Sequence, residues 1–134
     1  MTDFPLQIVT PYGLCYDGTA QQLTVRSTTG DIGILAGHMD CVAPLGMGRA
    51  TVVIDGQKRY AACIGGILSV VAGKVTLVPT TFEWAEQIDA QRAERSYQRA
   101  QEILSSKDST NTDIKLAEAR LRRALVRKSV ASNK

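Results

Sequence analysis

Arginines recur at helical spacing in the last third of this 134-residue sequence. They form two rows with the same steps of three and four residues: Arg92, Arg95 and Arg99, and then Arg120, Arg123 and Arg127. Residues spaced in this way lie on one face of a helix. Guanidinium groups bind phosphates and carboxylates through paired N–H donors. The spacing therefore predicts two basic helix faces that could hold one anion between them if the helices fold together.

The excess of positive charge lies at the same end of the chain. Residues 1–82 carry five acids and five bases, whereas residues 83–134 carry eight acids and eleven bases. From Asp113 onward, seven bases stand against two acids. An acidic protein surface, a polyphosphate and an anionic membrane are all possible partners, and a solvated helix face is the alternative without a partner. Aromatic residues make up only 5% of the chain, which argues against single-stranded nucleic acid.

The other residues whose side chains could act as catalysts or metal ligands have no evident partners in the sequence. His38 follows Gly37 and has no assignable serine or cysteine partner, so we interpret it as a turn residue rather than a catalyst. Cys15, Cys41 and Cys63 lie in apolar runs without metal-ligand spacing, which indicates reduced core thiols. We therefore expect no catalytic site, no metal site and no required cofactor. No signal peptide and no apolar run of about 18 residues is present, so we expect no direct membrane insertion.

The arginine rows fall in a segment that favours helix. All eleven glycines and all four prolines lie within residues 5–79, and the rest of the chain lacks these helix breakers. One helix is predicted over residues 89–104 with Asp89 as N-cap, and another over 113–131. The polar segment 105–112 would join them as an αα-hairpin. Because both apolar stripes consist mostly of alanine, which buries little area, we expect weak docking of the hairpin.

The preceding residues favour short strands. Apolar runs of strand length are separated by turn signals such as Asp55-Gly56 and Ala72-Gly73. Segment 29–38 contains three glycines and is interpreted as a turn-rich loop. We predict a sandwich of about ten short antiparallel strands as a domain of residues 1–87, followed by the helical hairpin as a second domain of residues 88–134.

Several stretches together resemble the epsilon subunit of bacterial F-type ATP synthases. They are GDIGILAGH at 30–38, IGGILSV at 64–70, VTLV at 75–78, IDAQRA at 88–93 and AEARLRRAL at 117–125. The stretches follow the family's order and spacing over nearly the whole chain. Ala36 departs from the pattern, since the family often has proline there, and so do Met39, Asp40 and Cys41.

The resemblance implies a non-catalytic subunit of the central stalk, peripheral on the cytoplasmic face of the bacterial cell membrane. Its sandwich would contact the gamma subunit and the membrane rotor ring of c subunits, coupling gamma rotation to that ring during proton-driven ATP synthesis. Its helical tail would either lie folded on the sandwich or extend along gamma toward the catalytic alpha and beta subunits, where it impedes ATP hydrolysis. A free-standing nucleotide or anion sensor of the same architecture is the alternative function.

The resemblance also implies particular site residues. Some members that carry Ile88-Asp89-x-x-Arg92-Ala93 bind regulatory ATP, and the candidate ATP ligands here are Glu83, Asp89, Arg92, Arg99, Arg123 and Arg127. The candidate partner contacts are His38, Arg122, Arg123 and Arg127. Arginines would hold the phosphates, and a carboxylate would accept from a ribose hydroxyl or the adenine amino group. The alternative is that Asp89 only caps its helix and the arginines are solvated.

Overall fold

The computed structural model describes residues 2–106 and 110–132, and within these ranges ten strands precede two helices. The strands are β1 (Phe4–Thr10), β2 (Gly13–Ala20), β3 (Gln22–Ser27), β4 (Gly30–Ile34), β5 (Cys41–Pro44), β6 (Met47–Ile54), β7 (Gln57–Ile64), β8 (Ile67–Val71), β9 (Lys74–Val78) and β10 (Thr81–Trp84). A 3-10 turn (Ala85–Gln87) leads into helices α1 (Ala90–Ser105) and α2 (Asn111–Ala131). The predicted sandwich followed by two helices is confirmed. Part of the predicted polar turn, residues 107–109, lies outside the described residues.

The strands form two five-stranded sheets that pack face to face. The first sheet has the order β2-β1-β9-β8-β5, and the second has the order β10-β7-β6-β3-β4. The expectation of purely antiparallel pairing is wrong at one position, since β1 and β9 pair in parallel. Tight hairpins impose antiparallel pairing only on consecutive strands, and these two strands are far apart in the chain.

The glycine-rich segment 29–38 is also not the loop that its composition predicts. Its residues Gly30–Ile34 form strand β4, which pairs with β3 along its whole length. Gly30 has a φ of 138°, so a glycine is needed where this strand begins. Only the residues after Ile34 connect to β5 as a loop, and His38 lies there.

The main core lies between the two sheets. In β1, Phe4, Leu6 and Ile8 are buried while the residues between them are more exposed, as expected for one face of a strand. The buried residues of this core all come from positions 4–84, so no helical residue that the structure describes takes part in the apolar packing of the sandwich. Cys63 belongs to the core, and burial raises the pKa of its thiol to about 12.

Both helices begin with side-chain caps. The Asp89 carboxylate accepts a hydrogen bond from the backbone N–H of Arg92 at 3.0 Å, which confirms its predicted role as N-cap. Helix α2 begins two residues before the predicted Asp113. Thr110 is its N-cap, and Thr110 and Asp113 exchange hydrogen bonds of 3.1 and 3.3 Å in a capping box. Asp113 is therefore the third residue of the helix.

The two helices pack through alanines, as the sequence predicts. The buried residues at the middle of the hairpin are Ala93 and Ala100 in α1 and Ala117 and Ala124 in α2. We refer to these four residues as the seam. None of the helices in the described part of the chain is long and apolar enough to cross a membrane.

The last turns of α2 dock on the sandwich through a second, smaller apolar cluster. Val130 and Ala131 are buried there, and Val126 packs against them. Their partners from the sandwich and the entry to α1 are Tyr60, Ala62, Ala85 and Ile88. Val126 and Val130 are not on the predicted apolar stripe of α2, although their spacing of four residues is a helical signal. Docking of the hairpin thus rests on these valines rather than on the alanine seam.

Candidate functional site

A polar cavity of about 250 Å³ lies where the sandwich meets both helices. Its lining comes from β10, from the 3-10 turn and the residues just after it, and from both helices: Glu83, Gln87, Ile88, Asp89, Arg92, Ala93, Ser96, Ala124 and Arg127. Four of the six candidate ATP ligands, Glu83, Asp89, Arg92 and Arg127, are therefore brought together. Because three separate parts of the chain form the cavity, it exists only while the hairpin is folded on the sandwich.

Glu83 and Arg127 connect the sandwich to α2 within this cavity. Phe82 and Trp84 point into the core, so strand alternation places Glu83 on the outer face of the second sheet, where α2 lies. Arg127 Nε donates to Glu83 Oε1 at 2.6 Å. Both side chains are only partly buried, and such a pair contributes about 1 kcal/mol or less. The remaining N–H donors of the Arg127 guanidinium can still bind an anion.

Asp89 and Arg92 form the wall of the cavity at the start of α1. One carboxylate oxygen of Asp89 caps α1, and the other, which has no hydrogen-bond donor among residues 2–106 and 110–132, can accept a hydrogen bond from a ligand. Arg92 is exposed, and among the described residues its guanidinium makes no ion pair. The first turn of α1 adds the partial positive charge of a helix N-terminus. This wall therefore attracts an anion and offers one acceptor beside it.

The other candidate residues lie outside the cavity. Arg99 is exposed on α1 and Arg123 is half-buried on α2, and neither lines the cavity, so their roles as ATP ligands stay predictions. Arg122 lines a separate cleft at the Leu45–Gly46 connection. His38 is half-buried and its Nδ1 lies 2.8 Å from the carbonyl oxygen of Met39. The described residues contain no cluster of histidine, cysteine, aspartate or glutamate that could hold a metal ion.

Two polar residues of the cavity were not found by sequence reasoning. Gln87 accepts from the backbone N–H of Trp84 at 3.1 Å through its side-chain oxygen, so its amide group is held in place. Ser96 follows Arg92 by four residues and lies on the same face of α1. The helical periodicity of the first arginine row was therefore a signal for Ser96. No local signal marked Gln87.

The outer face of the first sheet carries several exposed apolar residues. Strand alternation directs Leu68 and Val70 into the core and leaves Ile67 and Val71 more than half exposed. Ile67 pairs with Pro44 on one side and with Val78 on the other. We call this surface the apolar face, and its exposed members are Val42, Pro44, Ile67, Val71 and Val78. Exposed apolar residues that adjoin one another, as Pro44, Ile67 and Val78 do, mark an interaction surface.

Two family models match the chain. They are described as "ATP synthase, Delta/Epsilon chain, beta-sandwich domain" over residues 3–85 and "ATP synthase, Delta/Epsilon chain, long alpha-helix domain" over residues 86–132. The chain is 43% identical over 133 residues to the ATP synthase epsilon chain of Bacillus velezensis, covering 99% of this chain and 100% of that one. It is 45% identical over 115 residues to the epsilon chain of Bacillus subtilis, covering 86% of each chain.

A solved structure shares the fold. The chain is similar to one in the cryo-EM structure of the Euglena gracilis mitochondrial ATP synthase, OSCP/F1/c-ring in rotational state 1. The TM-score is 0.83 at 21% sequence identity, and the match covers 100% of this chain and 83% of that chain. At this identity the comparison supports the arrangement of sandwich and helices.

Proposed function

This chain belongs to the family of ATP synthase epsilon chains, subunits of the central stalk, and we propose that it couples gamma to the membrane rotor ring and regulates ATP hydrolysis. It does so as a peripheral, non-catalytic subunit on the cytoplasmic face of the membrane. The proposed regulation rests on the cavity between the sandwich and the hairpin, because a ligand can bind there only while the tail is folded.

The apolar face is the proposed contact with gamma. It belongs to the first sheet, whereas α2 docks on residues of β7 in the second sheet, so gamma and the folded hairpin occupy different sides of the sandwich. The loop that contains His38 follows β4 and leads into β5, the strand at the edge of the apolar face. This position suits a contact with gamma or the rotor ring and supports the role proposed for His38.

Placing a charge on the apolar face tests the contact with gamma. The variant Ile67→Glu is expected to reduce association with purified gamma at least tenfold, because an exposed carboxylate would be desolvated in the interface. Association is measured by pull-down and titration. Lys58→Glu, a charge change on β7 of the second sheet, is the matched control and should bind as the wild type does. Equal affinity of Ile67→Glu and the wild type would place gamma elsewhere on the sandwich.

The cavity is the proposed site for regulatory ATP. Arg92 and Arg127 hold the phosphates, and Asp89 or Glu83 accepts from a ribose hydroxyl or the adenine amino group. Arg99 and Arg123 would join only if side chains or helices shift when the nucleotide binds. Since the cavity requires docked helices, bound ATP favours the folded tail and opposes the extended, inhibitory one.

Calorimetric titration of the isolated protein with ATP tests this site. Arg92→Ala and Arg127→Ala are each expected to weaken binding about tenfold or more, since each removes a charged phosphate ligand. Arg95→Ala, which removes an exposed arginine outside the cavity, should leave binding unchanged. Absence of heat at millimolar ATP, or binding that survives both cavity substitutions, would contradict the proposed site. Asp89 would then only cap its helix, and the arginines would be solvated charges.

A free-standing nucleotide sensor is the second candidate function. It would use the same cavity and the same docked hairpin, and it would need no contact at the apolar face. The two experiments above distinguish the candidates. A protein that binds ATP but does not associate with gamma is the result that favours the sensor.

A further inference from the structure

Three side chains connect α1 and α2 outside the nucleotide cavity. Lys128 Nζ lies 2.6 Å from Glu94 Oε2 and 4.1 Å from the centre of the Tyr97 ring. One ammonium group therefore makes a charge-assisted hydrogen bond and a cation–π contact with the same helix at once. We call these three residues the clamp. None of them lines the cavity.

The clamp and the cavity lie on opposite sides of the seam. Ala93 and Ala124 are seam residues, and both also line the cavity. Successive residues of a helix are rotated by about 100° around its axis, so the side chains of Arg92 and Glu94 project on different sides of Ala93. In the same way Arg127 turns toward Glu83 while Lys128 turns toward α1. Because Ala93 and Ala124 belong both to the seam and to the lining of the cavity, the distance between the helices also affects the width of the cavity.

We infer that Lys128, by bridging Glu94 and Tyr97, is a positioning residue that holds α1 against α2 and forms the nucleotide cavity before any ligand arrives. This inference rests on the proposed ATP site for its functional consequence. The physical reason is that alanine side chains bury little area, so apolar packing alone fixes the separation of the helices poorly. A directed contact between long side chains supplies the missing constraint.

Both partners of Lys128 are themselves held in place. The Gln98 side chain donates to Glu94 Oε1 at 3.2 Å, and the Gln101 side chain donates to the Tyr97 hydroxyl at 2.8 Å. The hydrogen bond from Lys128 lowers the pKa of Glu94, so this carboxyl group is charged at neutral pH. The clamp remains partly open to solvent, with 33% of the Lys128 side chain and 43% of the Glu94 side chain exposed. Water can therefore compete for both charged groups.

Substitution of Lys128 tests the clamp by two independent measurements. Hydrogen exchange of the α1 amides without nucleotide reports closure, and calorimetry reports the dissociation constant for ATP. The apparent constant equals the intrinsic one divided by the closed fraction, so a fall of that fraction to about one fifth weakens binding about fivefold. Lys128→Met is expected to show both effects, with faster exchange. Lys128→Arg should behave as the wild type does, and so should Lys115→Met, which removes an exposed lysine elsewhere on α2.

The partners of Lys128 give a second test. Tyr97→Leu should accelerate exchange while Tyr97→Phe, which keeps the ring, should not. The exchanged pair Glu94→Lys with Lys128→Glu should restore part of the closure lost in Lys128→Met. Unchanged exchange in Lys128→Met would overturn the clamp, and faster exchange with unchanged ATP affinity would overturn its positioning role. If the wild type does not bind millimolar ATP, the proposed nucleotide site is wrong, and the positioning role of Lys128 is wrong with it. Hydrogen exchange would still show whether the clamp holds the helices together.

Discussion

Removal of residues 105–134 is expected to raise ATP hydrolysis by the assembled enzyme several-fold without preventing assembly. The deletion removes α2 and, with it, the segment in which seven bases stand against two acids. In the extended state this segment is proposed to face an acidic segment of a catalytic subunit, and electrostatic complementarity would hold it there. No described residue after position 104 belongs to the sandwich core or to the apolar face, so binding to gamma should persist. Hydrolysis is measured with the reconstituted enzyme and either full-length or truncated subunit.

Charge neutralisation separates the role of the basic side chains from that of the helix itself. Arg122 is exposed, does not line the cavity and is not a candidate ATP ligand, so Arg122→Gln should relieve part of the inhibition while keeping ATP binding. Arg127 is left unchanged in this variant because its loss would also break the contact with Glu83. Added salt should weaken inhibition by the intact subunit through screening. If the truncated enzyme hydrolyses ATP no faster than the intact one, this tail is not a brake.

Val130→Asp is expected to detach the hairpin almost completely. Val130 is fully buried in the small apolar cluster, and an unpaired carboxylate there costs about 3 to 5 kcal/mol. About 3 kcal/mol corresponds to a shift on the order of a hundredfold in the docking equilibrium. The isolated protein should therefore lose ATP binding, and protease should cleave the helices while the sandwich stays intact. In the assembled enzyme, inhibition should persist at ATP concentrations that relieve it in the wild type.

Two further variants make this result specific. Val130→Ala removes two methyl groups from the same cluster, costs about 1 to 2 kcal/mol and should shift docking partially. Leu125→Asp introduces the same charge on the same helix at a position that is 46% exposed, and it should dock normally. Retained ATP affinity and protease resistance in Val130→Asp would show that the seam and the ion pairs hold the hairpin without the valine cluster.

Much of the fold follows from local sequence. At Asp55-Gly56 and Ala72-Gly73 all four residues have positive φ, as the two hairpins between β6 and β7 and between β8 and β9 require. Asp89 caps α1 as its position predicts, and the seam consists of alanines at helical spacing. These features depend on the conformations of neighbouring residues and on the period of a helix or strand. A single sequence therefore determines them.

Which charged residues come into contact depends on the tertiary structure. The arginine spacing placed Arg92 and Arg99 on one helical face, but the position of α2 on the second sheet brings Arg127 to Glu83 and leaves Arg99 outside the cavity. The contact of Lys128 with α1 depends on how the helices are rotated against each other. The burial of residues that are distant in the chain sets both that rotation and the parallel pairing of β1 with β9. Because the hydrophobic effect is not directional, the local sequence does not specify which distant apolar residues will pack together.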